Sequence, residues 1–237
     1  YLNESPPLSA LIVDRGLVGR RTSHDPALSA AQLFAKALAR AGVRIAHPAA
    51  LGAADDAAVG LASVDSPPLA AMVHSMDQLS DNFTAEMLVK ELGAVQLGQG
   101  TTAAGIRVVY GQLAAAGIPL AGVRLVDGSG LSLYDRLTPA SLVALLRVMR
   151  DAPQTEPVLI HALPLAGRTG TLHDRMRGTA AAGVVRAKTG TTDNSTALSG
   201  FVADRFVFSV IVNGNPVSWS GSRDAEDLFA TTLASSR

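Results

Sequence analysis

Residues 184–214 read VVRAKTGTTDNSTALSGFVADRFVFSVIVNG, and this stretch decides the fold. Apolar and β-branched residues on both sides of a polar tip predict a hairpin over 184–202. The strongly apolar run 205–214 predicts a third strand, and a helix is expected near 223–234 at the end of the chain. Because the connections are short, we expect the three strands to pair in antiparallel fashion.

The residues before this stretch have mainly helical patterns. Helices are predicted at 26–41, 69–79, 83–93, 101–117 and 138–151. Short strands are predicted at 8–13, 59–64 and 122–132, the last running into a glycine-rich turn. Helices packed on an antiparallel sheet make an α+β fold. The sequence Ser-Pro-Pro at 66–68 interrupts the chain, so we place a domain boundary between 1–66 and 67–237.

The composition excludes several classes of partner and site. Twenty basic and twenty acidic residues give a formal net charge of zero, and only 4% of residues are aromatic. No nucleic-acid partner is expected, because such a surface needs a concentrated basic face or a stacking platform. Cysteine is absent, which excludes disulfides and cysteine nucleophiles. The five histidines show no His-x-x-x-His spacing, so a metal site is not expected. No organic cofactor is implied either.

Two short motifs carry candidate chemistry, and each is weak on its own. The first is Lys-Thr-Gly at 188–190, and the second is Ser-Asp-Asn at 80–82. A lysine on an edge strand often serves only to prevent unwanted sheet pairing, and Ser-Asp-Asn can simply cap the next helix. In the chemical interpretation, Lys188 and the threonine bind a substrate carboxylate, and the glycine lets a ligand lie against the strand edge.

Together the two motifs resemble two of the three signatures of penicillin-binding proteins and class A β-lactamases. Across 61–237, and most clearly in 66–93, 125–139 and 163–202, the chain resembles the D-alanyl-D-alanine carboxypeptidase/endopeptidase family. It is most similar to the peptidase S13 branch, the class C low-molecular-mass penicillin-binding proteins. This resemblance implies a β-lactamase/transpeptidase-like fold, with packed helices and a helical subdomain. It also makes 1–66 the C-terminal end of an inserted domain.

The resemblance further implies roles for individual residues. Ser80 would pass a proton to the leaving D-alanine, and Asn82 would bind the amide of the peptide. Lys188 and Thr189 would hold the terminal carboxylate of a peptidoglycan stem peptide, or the equivalent carboxylate of a β-lactam antibiotic. The backbone N–H of Thr191 would form one half of the oxyanion hole.

Two further substrate-binding residues are predicted, Gly190 and Leu131. Leu131 belongs to the Asp-Gly-Ser-Gly-Leu-Ser segment 127–132, in which Asp127 and Ser129 are expected to shape the wall of the cleft. The family commonly carries an arginine directly after this segment, whereas this chain has Leu133. An arginine-mediated grip on an acidic stem-peptide side chain is therefore not predicted there, and Arg136 is the candidate substitute.

The third signature, Ser-x-x-Lys, does not occur in the 237 residues. The positions three before the three lysines hold apolar residues, Leu33, Met87 and Val185. The serine of that signature attacks the scissile carbonyl, and a leaving-group relay and a carboxylate clamp cannot replace it. We therefore expect this chain to be the C-terminal half of a larger enzyme, with the N-terminal half of the same protein as its partner. The family and its substrate imply export to the periplasm or cell wall.

Several other functions can be weighed from the sequence. The sequence leaves two alternative functions open: a non-catalytic peptidoglycan-binding module of the same fold, and a β-lactamase. The GQGTTA segment at 98–103 fits a dinucleotide fingerprint but follows a helical pattern where a strand is required, so a turn is preferred. A Ser-His-Asp hydrolase is disfavoured, because no Gly-x-Ser-x-Gly occurs and the adjacent His-Asp pairs at 24–25 and 173–174 cannot face each other.

Overall fold

The computed structural model describes residues 5–9, 11–19, 21–52, 55 and 57–236. The chain divides into two compact units, Tyr1–Ser66 and Pro67–Arg237. The assignment of the first unit to the end of an inserted domain stays a prediction. Among the described residues, no helix is both long and apolar enough to span a membrane.

Among its described residues, the first unit has one α-helix, a 3-10 turn (Asp14–Gly16) and a small strand pair. Helix α1 (Pro26–Arg40) begins where the Asp25 carboxylate accepts the N–H of Leu28, which confirms the helix predicted at 26–41. Strands β1 (Leu17–Val18) and β2 (Arg21–Thr22) pair in antiparallel fashion.

Two strand predictions in this unit are wrong. The described residues of 8–13 form no strand, and Ala10 lies outside the described residues. The run at 59–64 is also not a strand, because Val59, Leu61 and Val64 are almost fully exposed, and no described strand pairs with the run. An apolar run becomes a strand only when a neighbour satisfies its backbone hydrogen bonds.

The second unit contains the remaining helices of the described chain. They are α2 (Leu69–Leu79), α3 (Asn82–Leu97), α4 (Thr102–Ala115), α5 (Pro139–Asp151), α6 (Glu156–Ala162) and α7 (Trp219–Ser235). The predicted helices are confirmed, although α7 begins four residues earlier than expected. The short helix α6 was not predicted. The strand predicted at 122–132 is wrong, since this segment makes only one isolated bridge, between Arg124 and Arg136.

The hairpin and third strand are confirmed as one antiparallel sheet of order β3-β4-β5. Its strands are β3 (Val185–Thr191), β4 (Ser195–Val202) and β5 (Phe206–Asn213). On one face, Val185 and Ala187 pack with Ala230 of α7 in the larger apolar core. On the other face, Phe201 packs with residues of α5 and α6. The sheet therefore lies between α7 and the α5–α6 pair.

Candidate active site

Lys188 leaves β3 on the face that does not carry α7. Successive side chains of a strand alternate between faces, and its neighbour Ala187 points into the core beside α7. Lys188 therefore projects toward the other side. Helix α2 packs there against α6, where Gln78 donates to the carbonyl of Ala162 at 3.0 Å. This packing brings the C-terminal end of α2 next to the lysine.

Ser80 lies in the turn between α2 and α3. Its backbone has φ 53° and ψ 52°, in the left-handed region, and this conformation ends α2. The next residue, Asp81, caps α3 by accepting the N–H of Thr84 at 3.3 Å. Asp81 therefore caps α3, and the Ser80 hydroxyl is not used for capping and can contact other groups.

The two motifs meet at the Ser80 hydroxyl. Lys188 Nζ donates a hydrogen bond to Ser80 Oγ at 2.7 Å and another to the carbonyl of Thr189 at 3.0 Å. The residues are 108 positions apart in the sequence. A lysine that only guarded an edge strand would point to solvent, whereas Lys188 is half-buried and hydrogen-bonded. The structure therefore brings these two predicted catalytic residues together.

Asp77 lies on α2, three residues before Ser80, and interacts electrostatically with Lys188. Burial lowers the pKa of the Lys188 ammonium, and the Asp77 carboxylate acts against this lowering. Burial likewise raises the pKa of Asp77, while Lys188 and His74 oppose that rise. The two partly buried groups therefore influence each other's pKa near Ser80 without a recorded ion pair between them. The sequence analysis missed Asp77, although its position three residues before Ser80 places it on the same side of the chain.

The N–H of Thr191 points out of the sheet at an open edge. Ala187 donates its N–H to the carbonyl of Pro164 at 3.0 Å, away from β4. Alternate residues of an antiparallel strand direct their backbone groups to the same neighbour, so Thr189 and Thr191 also direct theirs away from β4. Residues 164–166 bridge this edge at Val185–Ala187, and beyond Ala187 no described strand pairs with it. This orientation is the one required of an oxyanion donor, and the role itself stays a prediction.

Thr189 is tied to a residue that the sequence analysis missed. Its hydroxyl donates to the Thr171 hydroxyl at 2.9 Å. Thr171 lies in a short 3-10 turn, Gly170–Leu172, whose position beside β3 has no signal in the sequence. The two hydroxyls form a pair beside β3, the strand that carries Lys188. Such a pair offers two donors to a carboxylate, as the proposed clamp requires.

Asn82 and Gly190 lie on the elements that meet here. Asn82 is the first residue of α3, two positions after Ser80, and is half-buried. Gly190 is exposed on β3, and a Cβ there would meet the Cβ of Ala197 at 3.4 Å, which is ordinary contact. Gly190 therefore keeps the open strand free of a side chain without being required by packing inside the sheet.

Leu131 lies in a separate segment that docks on α3. The turn at 127–132 is held by the buried carboxylate of Glu86, which accepts the N–H groups of Gly128 and Ser129 at 3.0 and 2.9 Å. Asp127 accepts two further N–H groups within the turn. Through these hydrogen bonds Asp127 and Ser129 hold the turn in shape, which is the structural role that the sequence analysis expected for them. Among the described hydrogen bonds, none joins Leu131 to Ser80 or Lys188.

Arg136 is occupied within its own turn. Its guanidinium donates to the carbonyls of Leu133 and Asp135 at 2.8 and 2.6 Å. Burial, with a contribution from the facing Asp127 carboxylate, raises the pKa of Asp135 to about 6.

Among the residues that the structure describes, no group of three or more His, Cys, Asp or Glu side chains could hold a metal ion.

Residues 8–235 match the sequence profile of the D-Ala-D-Ala carboxypeptidase 3 (S13) family. The chain belongs to this family. It is 39% identical over 226 residues to the D-alanyl-D-alanine carboxypeptidase of Actinomadura sp. (strain R39), a match that covers 90% of this chain and 41% of that protein. It is also 35% identical over 246 residues to carboxypeptidase DacB of Mycolicibacterium smegmatis, covering 97% of this chain and 52% of that protein.

This S13 chain also has the fold of a solved penicillin-binding protein. Penicillin-binding protein 4 of Haemophilus influenzae, solved with a bound β-lactam, matches with a TM-score of 0.76 at 23% sequence identity. The match covers 90% of this chain and 51% of that one. It confirms the predicted fold class. The chain spans about half the length of the curated relatives it matches.

Proposed function

We propose that this chain forms the C-terminal part of an exported serine-type D-Ala-D-Ala carboxypeptidase. Its substrates would be peptidoglycan stem peptides that end in D-Ala-D-Ala. The same site would open peptide cross-links as a DD-endopeptidase, and β-lactam antibiotics would acylate it. A location in the periplasm or cell wall follows from that substrate, which lies outside the cytoplasmic membrane.

One observation carries the proposal: Lys188 Nζ contacts Ser80 Oγ at 2.7 Å beside an open strand edge. A relay hydroxyl, an ammonium group and an outward N–H are thereby gathered in one place. A stem peptide lying along β3 could meet all three groups. Binding of an extended peptide at a strand edge uses the backbone groups that the edge leaves free.

The acylation step needs a serine from a Ser-x-x-Lys signature, which these 237 residues do not contain. We propose that the N-terminal half of the same protein supplies it. Its hydroxyl would attack the carbonyl carbon of the penultimate D-alanine and form an ester, and the bond to the terminal D-alanine nitrogen would break. The negative charge that develops on the carbonyl oxygen would meet the N–H of Thr191.

The leaving amine needs a proton, and Ser80 is placed to pass one. Because Lys188 already donates to Ser80 Oγ, the hydroxyl proton of Ser80 is directed away from the lysine and can reach the departing nitrogen. Ser80 would then recover a proton through the lysine of the Ser-x-x-Lys signature, which takes that proton from the attacking serine hydroxyl. Water would finally hydrolyse the ester and release the shortened peptide, so the serine is regenerated.

The substrate carboxylate would bind where Lys188, Thr189 and Thr171 converge. Lys188 supplies the positive field, and the two threonine hydroxyls supply donors. The hydrogen bond from Thr189 to Thr171 would be exchanged for one to the carboxylate. A penicillin presents a carboxylate and a strained amide, which would occupy the same two positions.

The test uses the full-length protein and two probes. With a tripeptide ending in D-Ala-D-Ala, we expect release of D-alanine, and with benzylpenicillin, a covalent adduct in the intact mass. A tripeptide ending in D-Ala-L-Ala is the matched control and should not be cleaved. Absence of both D-alanine release and adduct would instead support a non-catalytic binding module. Rapid, repeated hydrolysis of benzylpenicillin would support a β-lactamase.

A further inference from the structure

Gln78 attaches the end of α2 to the end of α6. It lies in the last turn of α2, two residues before Ser80, and is half-buried. Its Nε2 donates to the carbonyl of Ala162, a group that has no partner inside its own helix because Ala162 is the last residue of α6. One turn earlier on α2, His74 Nδ1 lies 2.8 Å from the carbonyl of His161. Two side chains on one face of α2 therefore hold the C-terminal end of α6.

The end of α6 leads directly into a segment that is hydrogen-bonded to β3. The carbonyl of Pro164 accepts the N–H of Ala187 at 3.0 Å. Ala166 donates its N–H to the carbonyl of Val185 at 2.9 Å. Ala187 is the residue before Lys188. This first connection therefore fixes α2, through the end of α6, relative to the strand that carries the lysine.

Gln78 makes a second connection through the 3-10 turn Gly170–Leu172. Gly170 has φ 54°, and a Cβ there would lie 2.6 Å from Gln78 Oε1 and 2.7 Å from the backbone oxygen of Gln78. These distances are too short for any side-chain carbon, so the contact requires glycine. The next residue, Thr171, accepts a hydrogen bond from the Thr189 hydroxyl of β3 at 2.9 Å. The turn is therefore a spacer between α2 and β3.

Both connections start at Gln78, and the turn that holds Ser80 follows it. The hydrogen bond from Lys188 Nζ to Ser80 Oγ joins two different elements, so its length of 2.7 Å depends on how those elements are held together. Proton transfer is sensitive to such distances, because a displacement of about 1 Å can cost about 100-fold in rate. The contacts of Gln78 are therefore the ones on which the placement of the Ser80 hydroxyl depends.

We propose that Gln78 is a positioning residue that holds the Ser80 hydroxyl where it can pass a proton to the leaving nitrogen. This inference rests on the proposed function. The amide of Gln78 is committed to Ala162 and takes part in no step of the reaction, so Gln78 acts through Ser80. Without that amide, the end of α2 can shift against α6 and against the 3-10 turn. Delivery of the proton would then be impaired, while the carboxylate would still be bound by groups on β3.

The experiment compares two substrates on the full-length protein. One is a tripeptide ending in D-Ala-D-Ala, and the other is its analogue with sulfur in place of the scissile nitrogen. The nitrogen must receive a proton in order to leave, whereas the sulfur leaves as a thiolate, because a thiol has a pKa of about 8.5. The amide-to-thioester ratio of kcat/KM therefore measures proton delivery. We expect Gln78→Met, which keeps the side-chain length but loses the amide, to lower this ratio roughly 10-fold.

Three further variants calibrate the result. Ser80→Ala removes the relay itself and should lower the ratio more than Gln78→Met does. Gly170→Ala presses a Cβ against Gln78 and should also lower the ratio, and Gln78→Met decides the question if that variant does not fold. Gln112→Met makes the same substitution at an exposed glutamine of α4 and should keep the wild-type ratio.

The outcomes separate this inference from the proposed function. If Ser80→Ala lowers the ratio but Gln78→Met stays within twofold of Gln112→Met, the role of Gln78 is wrong while the function stands. The same conclusion follows if Gln78→Met slows both substrates by the same factor, since that would indicate a general structural effect. If the wild type cleaves neither substrate, or if Ser80→Ala leaves the ratio unchanged, the proposed chemistry is wrong and this inference fails with it.

Discussion

Lys188 Nζ donates a hydrogen bond to Ser80 Oγ across 2.7 Å, which joins the edge strand of the sheet to the turn between α2 and α3. Neither motif would be informative on its own. The contact exists because α2 packs against α6 and against the 3-10 turn Gly170–Leu172, which itself contacts β3, and because Ser80 ends α2 with a left-handed backbone conformation. The site is therefore a consequence of the packing of α2 against α6 and the 3-10 turn. Because Asp81 and not Ser80 caps α3, changes at the Ser80 hydroxyl should report on chemistry more than on folding.

The first prediction concerns Ser80→Ala in the full-length protein. We expect the rate of D-alanine release to fall about 10²- to 10³-fold, as when a positioned proton-transfer group is removed. The fold should persist, because alanine and serine have similar difficulty at φ 53°. Turnover of a D-Ala-D-Ala tripeptide is the measurement. Ser75→Ala, an exposed position on the same helix, is the control, and activity of Ser80→Ala within twofold of it would refute the relay.

The second prediction concerns the charge pair at Asp77 and Lys188. The Asp77 carboxylate raises the pKa of Lys188 against the effect of burial, so Asp77→Asn should lower that pKa further. The proposed reaction needs the ammonium form, and activity is lost as pH rises through the pKa of Lys188. We therefore expect the alkaline limb of the acylation rate to move to lower pH, as read from a pH–rate profile.

His74 also lowers the pKa of Asp77 in the wild type, and His74 is unchanged in the Asp77→Asn variant. Asp151→Asn on α5 removes an equal charge from an exposed position away from the site, and its profile should match the wild type. An alkaline limb that stays in place in Asp77→Asn would show that Asp77 does not act on Lys188.

Much of the fold could be predicted because its elements carry local signals. The caps at Asp25 and Thr138 and the strand–turn–strand pattern at 184–202 depend on neighbours in the sequence. The strands predicted at 59–64 and 122–132 failed because strand formation depends on a partner elsewhere in the chain. Short apolar runs do not show whether that partner exists.

The candidate site was predicted where a motif marks it and missed where only packing creates it. Ser80 and Lys188 stand in short motifs, so their meeting could be expected. Thr171 comes from a 3-10 turn that carries no such pattern, and its nearness to β3 is a result of three-dimensional packing alone.

The third prediction concerns Asp135, whose Oδ1 accepts the N–H of Val126 at 2.6 Å. Burial raises the pKa of Asp135 from 3.8 to about 6, with the Asp127 carboxylate as a further cause. Between these values the folded state binds a proton that the unfolded state has lost, so stability falls as pH rises. Asp135→Asn keeps the acceptor and removes the charge.

We therefore expect Asp135→Asn to be more stable than the wild type at pH 7.5, by about 1 kcal/mol after solvent screening of this partly exposed group. At pH 4 the two proteins should differ much less. Thermal unfolding at both pH values measures this. Asp151→Asn again serves as the control, and a gain that is equal at both pH values would contradict the role of ionisation.

The fourth prediction uses two glycines of α4. Gly105 is buried where α4 meets α3, and a Cβ there would collide with the backbone carbonyl of Val89. Because backbone cannot yield as a side chain can, Gly105→Ala should push the helices apart and cost about 1–3 kcal/mol. Gly111 is exposed on the same helix with nothing within 4 Å, so Gly111→Ala should stabilise by about 0.5–1 kcal/mol through helix propensity. Denaturant midpoints measure both variants, and a Gly105→Ala protein as stable as Gly111→Ala would show that the close helix contact is not required.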